Sequence, residues 1–544
     1  MNDWLFGLEP GESRQRVTGG EEKSCDVVHN CANLCLLMTL FFKEPVLLTF
    51  RQREVKSPGK CGIIPGAIGS QLRTRIQIPI NRAGQMKYST RQLIVLKILA
   101  LVLFVIGTSV NAEEVRGRGK RWVRSHPFTL MALSENEKMH DSSVYRGAGL
   151  NNFLVWRYEP EIFEVAYDRD FPLGLPWHFH VEEFELTENV KSRVKDLDRS
   201  YPGATGWLIK DEPQTIAMPG LAKIMEWLRQ TYPDKLVYSN AFPIGGTPGK
   251  YFGRDPNGPY SYDKYLEDFV NILKPDVLMF DIYPFKGGGL SSLYFKNLEN
   301  VRFEALKAGI PYWAFIQSCQ GWAGTTLPSE SELRMQIFTS LAYGYTGFAY
   351  FIYGTPATEY RALLDADGRP SYLYYEAVRV NQEVMNLGRA LRFLEGKRGP
   401  LYVPYIPGRH LENGQVVDNN YPSGTDPLTD EVGREWKIEN ISVDEGVGLR
   451  RDALVGLFQD DEDGRYFMLV NTWCDIGVSA RDRQASFTVT LSPEVKVISR
   501  LSRETGATEL IQVTNSKIKV TLPGGTGDLF KIGDSRFPGL DGGE

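Results

Sequence analysis

Cysteine and histidine are scarce in this sequence. Of six cysteines in 544 residues, Cys25, Cys31, Cys35 and Cys61 fall in the first 61, which leaves only Cys319 and Cys474 beyond them. Two distant thiols do not make a disulfide scaffold, and the six histidines show no Cys/His spacing of a zinc site. No glycine-rich phosphate turn follows an early strand, which argues against an open dinucleotide-binding sheet. No cofactor or metal is therefore expected. A basic tract is also missing: from residue 113 onward, 48 Lys and Arg stand against 59 Asp and Glu, a formal net charge of −11. Such a chain is a poor nucleic-acid binder.

What is present begins with a targeting signal in an unusual place. Residues 86–112 run from a basic stretch (Met86 to Lys97) through an apolar core (Ile98 to Gly107) to Val110-Asn-Ala112, the order of a secretory signal peptide. Cleavage after Ala112 would leave Glu113 as the new N-terminus. An apolar core of about ten residues is too short to span a bilayer, where about twenty are needed, so no membrane insertion is expected after cleavage. Residues 1–85 show no sustained period and are expected to be a misassigned or disordered extension, with Met86 as the initiator. Export to a periplasm or the medium follows from this reading.

From Phe128 the pattern changes to short apolar strands alternating with helical segments, which implies parallel strands with crossover helices. The strands predicted are Phe128–Leu133, Phe153–Trp156, Trp177–Val181, Gly206–Lys210, Leu236–Asn240, Val277–Asp281, Tyr312–Gln317 and Gly347–Tyr353. Eight such units over about 270 residues match a (β/α)8 TIM barrel at 126–396. Residues 397–450, rich in Pro, Gly, Asn and Asp, read as a linker. Short alternating runs over 451–535 predict a small antiparallel β-sandwich. The fold class is thus α/β, a barrel followed by a β-sandwich.

In a parallel barrel, chemistry sits where the strands end. The fourth strand stops at Asp211-Glu212-Pro213, because proline cannot continue a central ladder. Capping of the next helix by these carboxylates is the competing reading. Polar and aromatic residues recur at the other strand ends: Trp156, Glu182 and Glu183, Asn240, Asp281 and Tyr283, Gln317 and Trp322, Tyr353. Aromatic faces stack on sugar C–H surfaces while a carboxyl pair supplies acid and nucleophile or base, so this mixture fits glycoside cleavage. Taken singly, Glu182 and Glu183 also read as loop carboxylates, Trp156, Trp322 and Tyr353 as core, and His178 and His180 as structural.

These residues resemble a known family. Asp211-Glu212-Pro213 after the fourth strand is similar to the tripeptide that carries the acid/base Glu in the clan of retaining (β/α)8 glycoside hydrolases. Glu332 to Phe351 resembles the last helix and strand of β-galactosidase-type enzymes and their uncharacterised bacterial relatives, and Leu522 to Phe530 the closing strand of the β-domain that follows such barrels. The likeness spans about 126–535 and implies that Glu212 is the general acid/base. It also implies a nucleophilic Glu at the end of the seventh strand, where this chain has Gln317. A neutral amide cannot form a glycosyl-enzyme intermediate. The second carboxylate is then Asp281, which follows an apolar run, or Glu182 or Glu183, or the site binds sugar without cleaving it.

The expectation carried forward is a secreted glycoside hydrolase acting on a poly- or oligosaccharide. Glu212 would be the acid and Asp281 the ionised partner; Trp156, Glu182, Asp211, Asn240, Tyr283, Gln317, Trp322 and Tyr353 would contact carbohydrate. The alternatives are a non-catalytic carbohydrate-binding barrel and a metal-dependent hydrolase using Asp211, Asp281 and His178 or His180.

Overall fold

A computed structural model describes residues 117–134, 141–156, 176–321, 324–354, 361–403, 409–410, 416–417, 421–443 and 452–540. All lie in one compact unit, Phe104–Glu544. The expected extension, signal peptide and cleavage site fall outside the described residues, as does Trp322.

Eight parallel strands close into a barrel: β1 Thr129–Ser134, β2 Phe153–Val155, β3 Trp177–Val181, β4 Ala204–Asp211, β5 Leu236–Ala241, β6 Leu278–Asp281, β7 Tyr312–Gln317 and β8 Gly347–Phe351. Closure is made by β1, which pairs with both β2 and β8. Strands buried on both faces explain the unbroken apolar runs in the sequence. The outer layer includes α1 Ser142–Gly147, α2 Glu188–Ser200, α3 Met218–Thr231, α4 Tyr262–Asp268, α5 Tyr294–Ala308, α6 Glu330–Tyr343 and α7 Tyr372–Leu391.

The barrel interior is packed with large rings. His178 on β3 lies under Trp313, centroids 6.0 Å apart, and its Nδ1 bonds to the Tyr238 hydroxyl at 2.8 Å. Burial pushes this imidazole down to about 3, so it stays neutral at physiological pH. Gly206 beside it has no room for a side chain, since a Cβ would come within 2.7 Å of the ring. His180 stacks on Trp156 at 4.2 Å. Both histidines are core, as their alternation allowed, and among the described residues no three His, Cys, Asp or Glu are placed to hold a metal ion.

The N-terminal base of the barrel is stoppered by the helix at 117–125. Trp122 enters the interior cluster and meets His178 and Trp313 edge-on or tilted, at 6.0 and 5.9 Å. Arg118 pairs with buried Asp276 and donates to the carbonyls of Tyr232, Pro233 and Lys235. At the other end of the helix, Arg124 forks onto Asp461 with contacts of 2.5 and 2.9 Å.

The C-terminal domain contains a seven-stranded antiparallel sheet and a three-stranded one. The central strands of the larger sheet are buried on both faces. Along Ala453–Gln459, Ala453, Val455 and Leu457 face the smaller sheet, while Leu454 and Phe458 join the core shared with the barrel helices. Segment 397–450 is not merely a linker. Leu401–Val403 pairs with Ala453–Gln459, and Asp430–Trp436 is a helix capped by Thr429. Ile438–Val443 is an edge strand paired with Ala485–Leu491. Its turn residues cap these short elements rather than leave them irregular.

Helix α6 is wedged between the two domains, with 13 of its 14 residues buried. A capping box formed by Ser329 and Glu332 starts it. Gly456 permits close approach of the sheet, for a Cβ there would sit 2.1 Å from the Ala342 carbonyl oxygen. Arg334 on α6 bonds to Glu383 on α7, which Arg503 also contacts at 3.2 Å, and Arg503 reaches buried Asp528 at 2.5 Å. These charges are matched pairwise, the condition under which burying them is tolerated.

Candidate active site

The end of β4 departs from regular geometry. Three of its residues stand opposite two of β5, since Leu208 pairs with Tyr238 and Asp211 with Asn240. Lys210 takes up the extra length in the left-handed region at φ 54°, and Glu212 follows at φ 43°. Non-glycine residues rarely adopt this conformation, and where they do the surroundings must hold them. Here Ser239 Oγ donates to the Lys210 carbonyl at 2.7 Å, the Glu212 amide donates to the Asn240 carbonyl at 2.9 Å, and the Tyr265 hydroxyl donates to the Pro213 carbonyl at 3.1 Å. The bulge brings Asp211 onto the face where Asn240 points.

Asn240 then gathers the carboxylates. Its Nδ2 donates to Asp211 Oδ1 at 2.8 Å and to Asp281 Oδ1 at 2.9 Å. Asp281, at the end of β6, is 7% exposed, and Glu212 is half-buried. Burial pushes the Glu212 carboxyl up to about 7, helped by the charge of Asp211 and opposed by Lys250. Asp281 is raised well above its ordinary value, first by burial and then by Glu212 and Asp211. The expectation that Asp281 is simply ionised therefore changes: burial and the charges of Glu212 and Asp211 favour its protonated form.

Tyr283 is half-buried and stacks on Phe351, centroids 4.9 Å apart and planes 25° from parallel. Burial and the neighbouring Asp281 and Asp211 charges hold its phenol well above its usual value, so it stays a donor. Trp156 is 8% exposed against His180. Thus Asp211, Glu212, Asn240, Asp281 and Tyr283 come together as one cluster at the mouth.

Other expected residues lie elsewhere or are already engaged. Gln317 is fully buried and its amide is consumed by loop backbone: Oε1 accepts from the Phe285 amide, while Nε2 donates to the carbonyls of Phe285 and Thr326. It pins two mouth loops together and has no donor left to orient a substrate hydroxyl. Tyr353 is also fully buried, packed on Tyr145 in the layer outside the barrel, because the chain after β8 turns outward. Glu182 is exposed and pairs with Lys210 at 2.8 Å, and Glu183 pairs with Arg193 at 2.9 Å, so neither is the second carboxylate. Asn240, 2% exposed with both N–H groups taken, is not a sugar contact.

Sequence reasoning missed Lys250, Ser239 and Tyr265. Lys250 follows Thr247-Pro248 on the short helix Pro248–Phe252, lies 4.6 Å over the Phe242 ring, and is the cation whose charge opposes the rise at both Glu212 and Asp281. Nothing in the pattern of the β5–α4 loop marks it out.

No family model matches the chain, and no curated protein matches it. Solved structures of similar fold include three sugar-cleaving enzymes. One is a β-galactosidase from the psychrophilic Marinomonas ef1 (12% identity, 50% of this chain and 62% of that one, TM-score 0.37). Another is α-galactosidase I from Mortierella vinacea (9%, 78% and 93%, TM-score 0.35). The third is an endo-β-1,4-mannanase from Thermotoga petrophila (12%, 74% and 98%, TM-score 0.35). The chain spans about three-fifths of the β-galactosidase. At such scores the barrel and sandwich rest on this chain's own strand pairing.

Proposed function

We propose that the barrel mouth hydrolyses O-glycosidic bonds of a poly- or oligosaccharide. The observation that carries this reading is the gathering of carboxyl groups where β4 and β6 end: Asn240 holds Asp211 and Asp281, Glu212 follows Asp211, and burial raises the proton affinity of both Glu212 and Asp281. A carboxyl group that keeps its proton near neutral pH can donate it to a leaving-group oxygen. Glu212, the more accessible of the two, is the donor. With the proton on Glu212, Asp281 as the anion attacks the anomeric carbon or activates water, and its separation from Glu212 in the substrate complex sets retention or inversion. Tyr283 and Phe351 supply an aromatic face beside Asp281 for the sugar ring. The chain is exported by residues 86–112, and N-terminal sequencing of secreted protein should begin at Glu113.

The test is hydrolysis of a panel of plant and algal polysaccharides by protein beginning at Glu113, beside its Glu212→Gln variant. Cleavage by the first and a loss of several orders of magnitude in the second support the reading. The second reading, a barrel that binds sugar without cutting it, is favoured by Gln317, whose locked amide leaves β7 without a carboxylate. Sugar binding with no cleavage, unaltered in Asp281→Asn, would establish that one. Among the described residues no helix is long and apolar enough to cross a membrane.

A further inference from the structure

We propose that Asn240 is the positioning residue of this site, one side chain on β5 that fixes Asp211 and Asp281 against each other and, through its own backbone, sets the place of Glu212. The inference deepens the glycosidase reading and rests on it.

Three separate bonds converge on this residue. Its two amide hydrogens go to two different carboxylates, 2.8 Å to Asp211 and 2.9 Å to Asp281. Nδ2 has only two hydrogens, so nothing remains for a ligand. Its carbonyl oxygen accepts the amide of Glu212, the residue at φ 43°, and so anchors the backbone that carries the proton donor. β5 lies between β4 and β6, in register with Asp211 on one side and Met279 on the other, so no other strand can span both aspartates. Asn240 is 2% exposed and its Oδ1 finds no partner among the described residues. A buried unmet acceptor is a cost that packing alone does not explain, since an apolar side chain would avoid it. Holding two like charges close together does explain it. Asn supplies neutral donors to both where Asp would add a third negative charge and Leu would supply none.

The remaining groups that face Asp281 are Glu212 and Asp211, which raise its proton affinity, and Lys250, which opposes them together with Asn240. Removing the amide donors therefore moves Asp281 further toward its neutral form.

The experiment compares wild type, Asn240→Leu and Asn240→Asp by kcat and KM across pH on a cleaved saccharide, and by melting temperature across the same range. For Asn240→Leu two charge-assisted hydrogen bonds are lost, and the expected result is a kcat lower by about 10- to 100-fold, the worth of the one to Asp281, with KM little changed and the acidic limb of the kcat profile moved to higher pH. Should the Leu variant fail to fold, Asn240→Asp decides the matter: its activity recovers as pH falls, because a protonated Asp can again donate. A raised KM with unchanged kcat and pH profile would overturn the proposal and make Asn240 a substrate contact. The melting curves need no turnover and so stand even if wild type cleaves nothing. A group whose folded proton affinity is raised loses its stabilising contribution as pH climbs from its unfolded value through its folded one, so as pH rises above the ordinary aspartate range Asn240→Leu should lose more stability than wild type. Parallel curves would overturn the clamp whatever the activity.

Discussion

Two aspartates bracket β6. Asp276 precedes the strand at the barrel base and Asp281 closes it at the mouth, and neither reaches water appreciably. At the base, Asp276 has a cation, Arg118, and the Val237 amide donates to it at 2.7 Å; burial pushes it up to about 6 while Arg118 pulls it back. At the mouth, Asp281 meets two further carboxylates, and its charge is favoured only by the neutral donor Asn240 and by Lys250. One strand is thus bracketed by two buried acids in opposite company, one matched with a cation and one set among carboxylates. The difference lies in the partners, because burial alone raises both.

The comparison can be broken or sharpened by substitution. At the mouth, Glu212→Gln should lower kcat by about 10²- to 10⁴-fold, the usual contribution of a general acid, with the melting temperature held or raised. At the base, Trp122→Ala should cost about 3–5 kcal/mol of stability, measured by urea unfolding, since a fully packed ring leaves a cavity among Trp313 and His178. A smaller loss, about 2 kcal/mol, is expected for Asp276→Asn, which strands a partly exposed Arg118, and kcat should not move. Smallest is the gain of about 1 kcal/mol near neutral pH for Asp281→Asn, where a repelled charge is removed; a loss of stability there would make Asp281 a structural acid like Asp276. The pH dependence follows the same logic. Glu212 titrates near 7 when folded and near 4.3 when unfolded, so its contribution is present at low pH and lost through about 7. Glu212→Gln should flatten that part of the melting-temperature profile.

The barrel was legible because its strands are uninterrupted apolar runs closed by polar residues, a pattern both faces of a buried parallel strand enforce. Trp177–Val181 and Tyr312–Gln317 come out with the predicted ends. Asp211, Glu212 and Asp281 were singled out by their place at strand ends, and the structure brings them together there. Asn240 was found for the wrong role, because a donor at a strand end looks the same whether it faces sugar or a neighbouring aspartate. Gln317 misled for a related reason: the sequence cannot say that the loops carrying Phe285 and Thr326 fold over it. Tyr353 required knowing that the chain leaves the barrel after Phe351. Segment 397–450 failed because its strands pair with partners far along the chain, such as Ile438–Val443 with Ala485–Leu491, and local composition carries no trace of that pairing.

Helix α6 makes the C-terminal domain part of the barrel's own wall. A barrel cut free near residue 396 would expose a helix that is now buried almost all round, with Glu383 deprived of Arg503. Such a sandwich is not a detachable module, and a barrel built without it would need a polar outer face on α6.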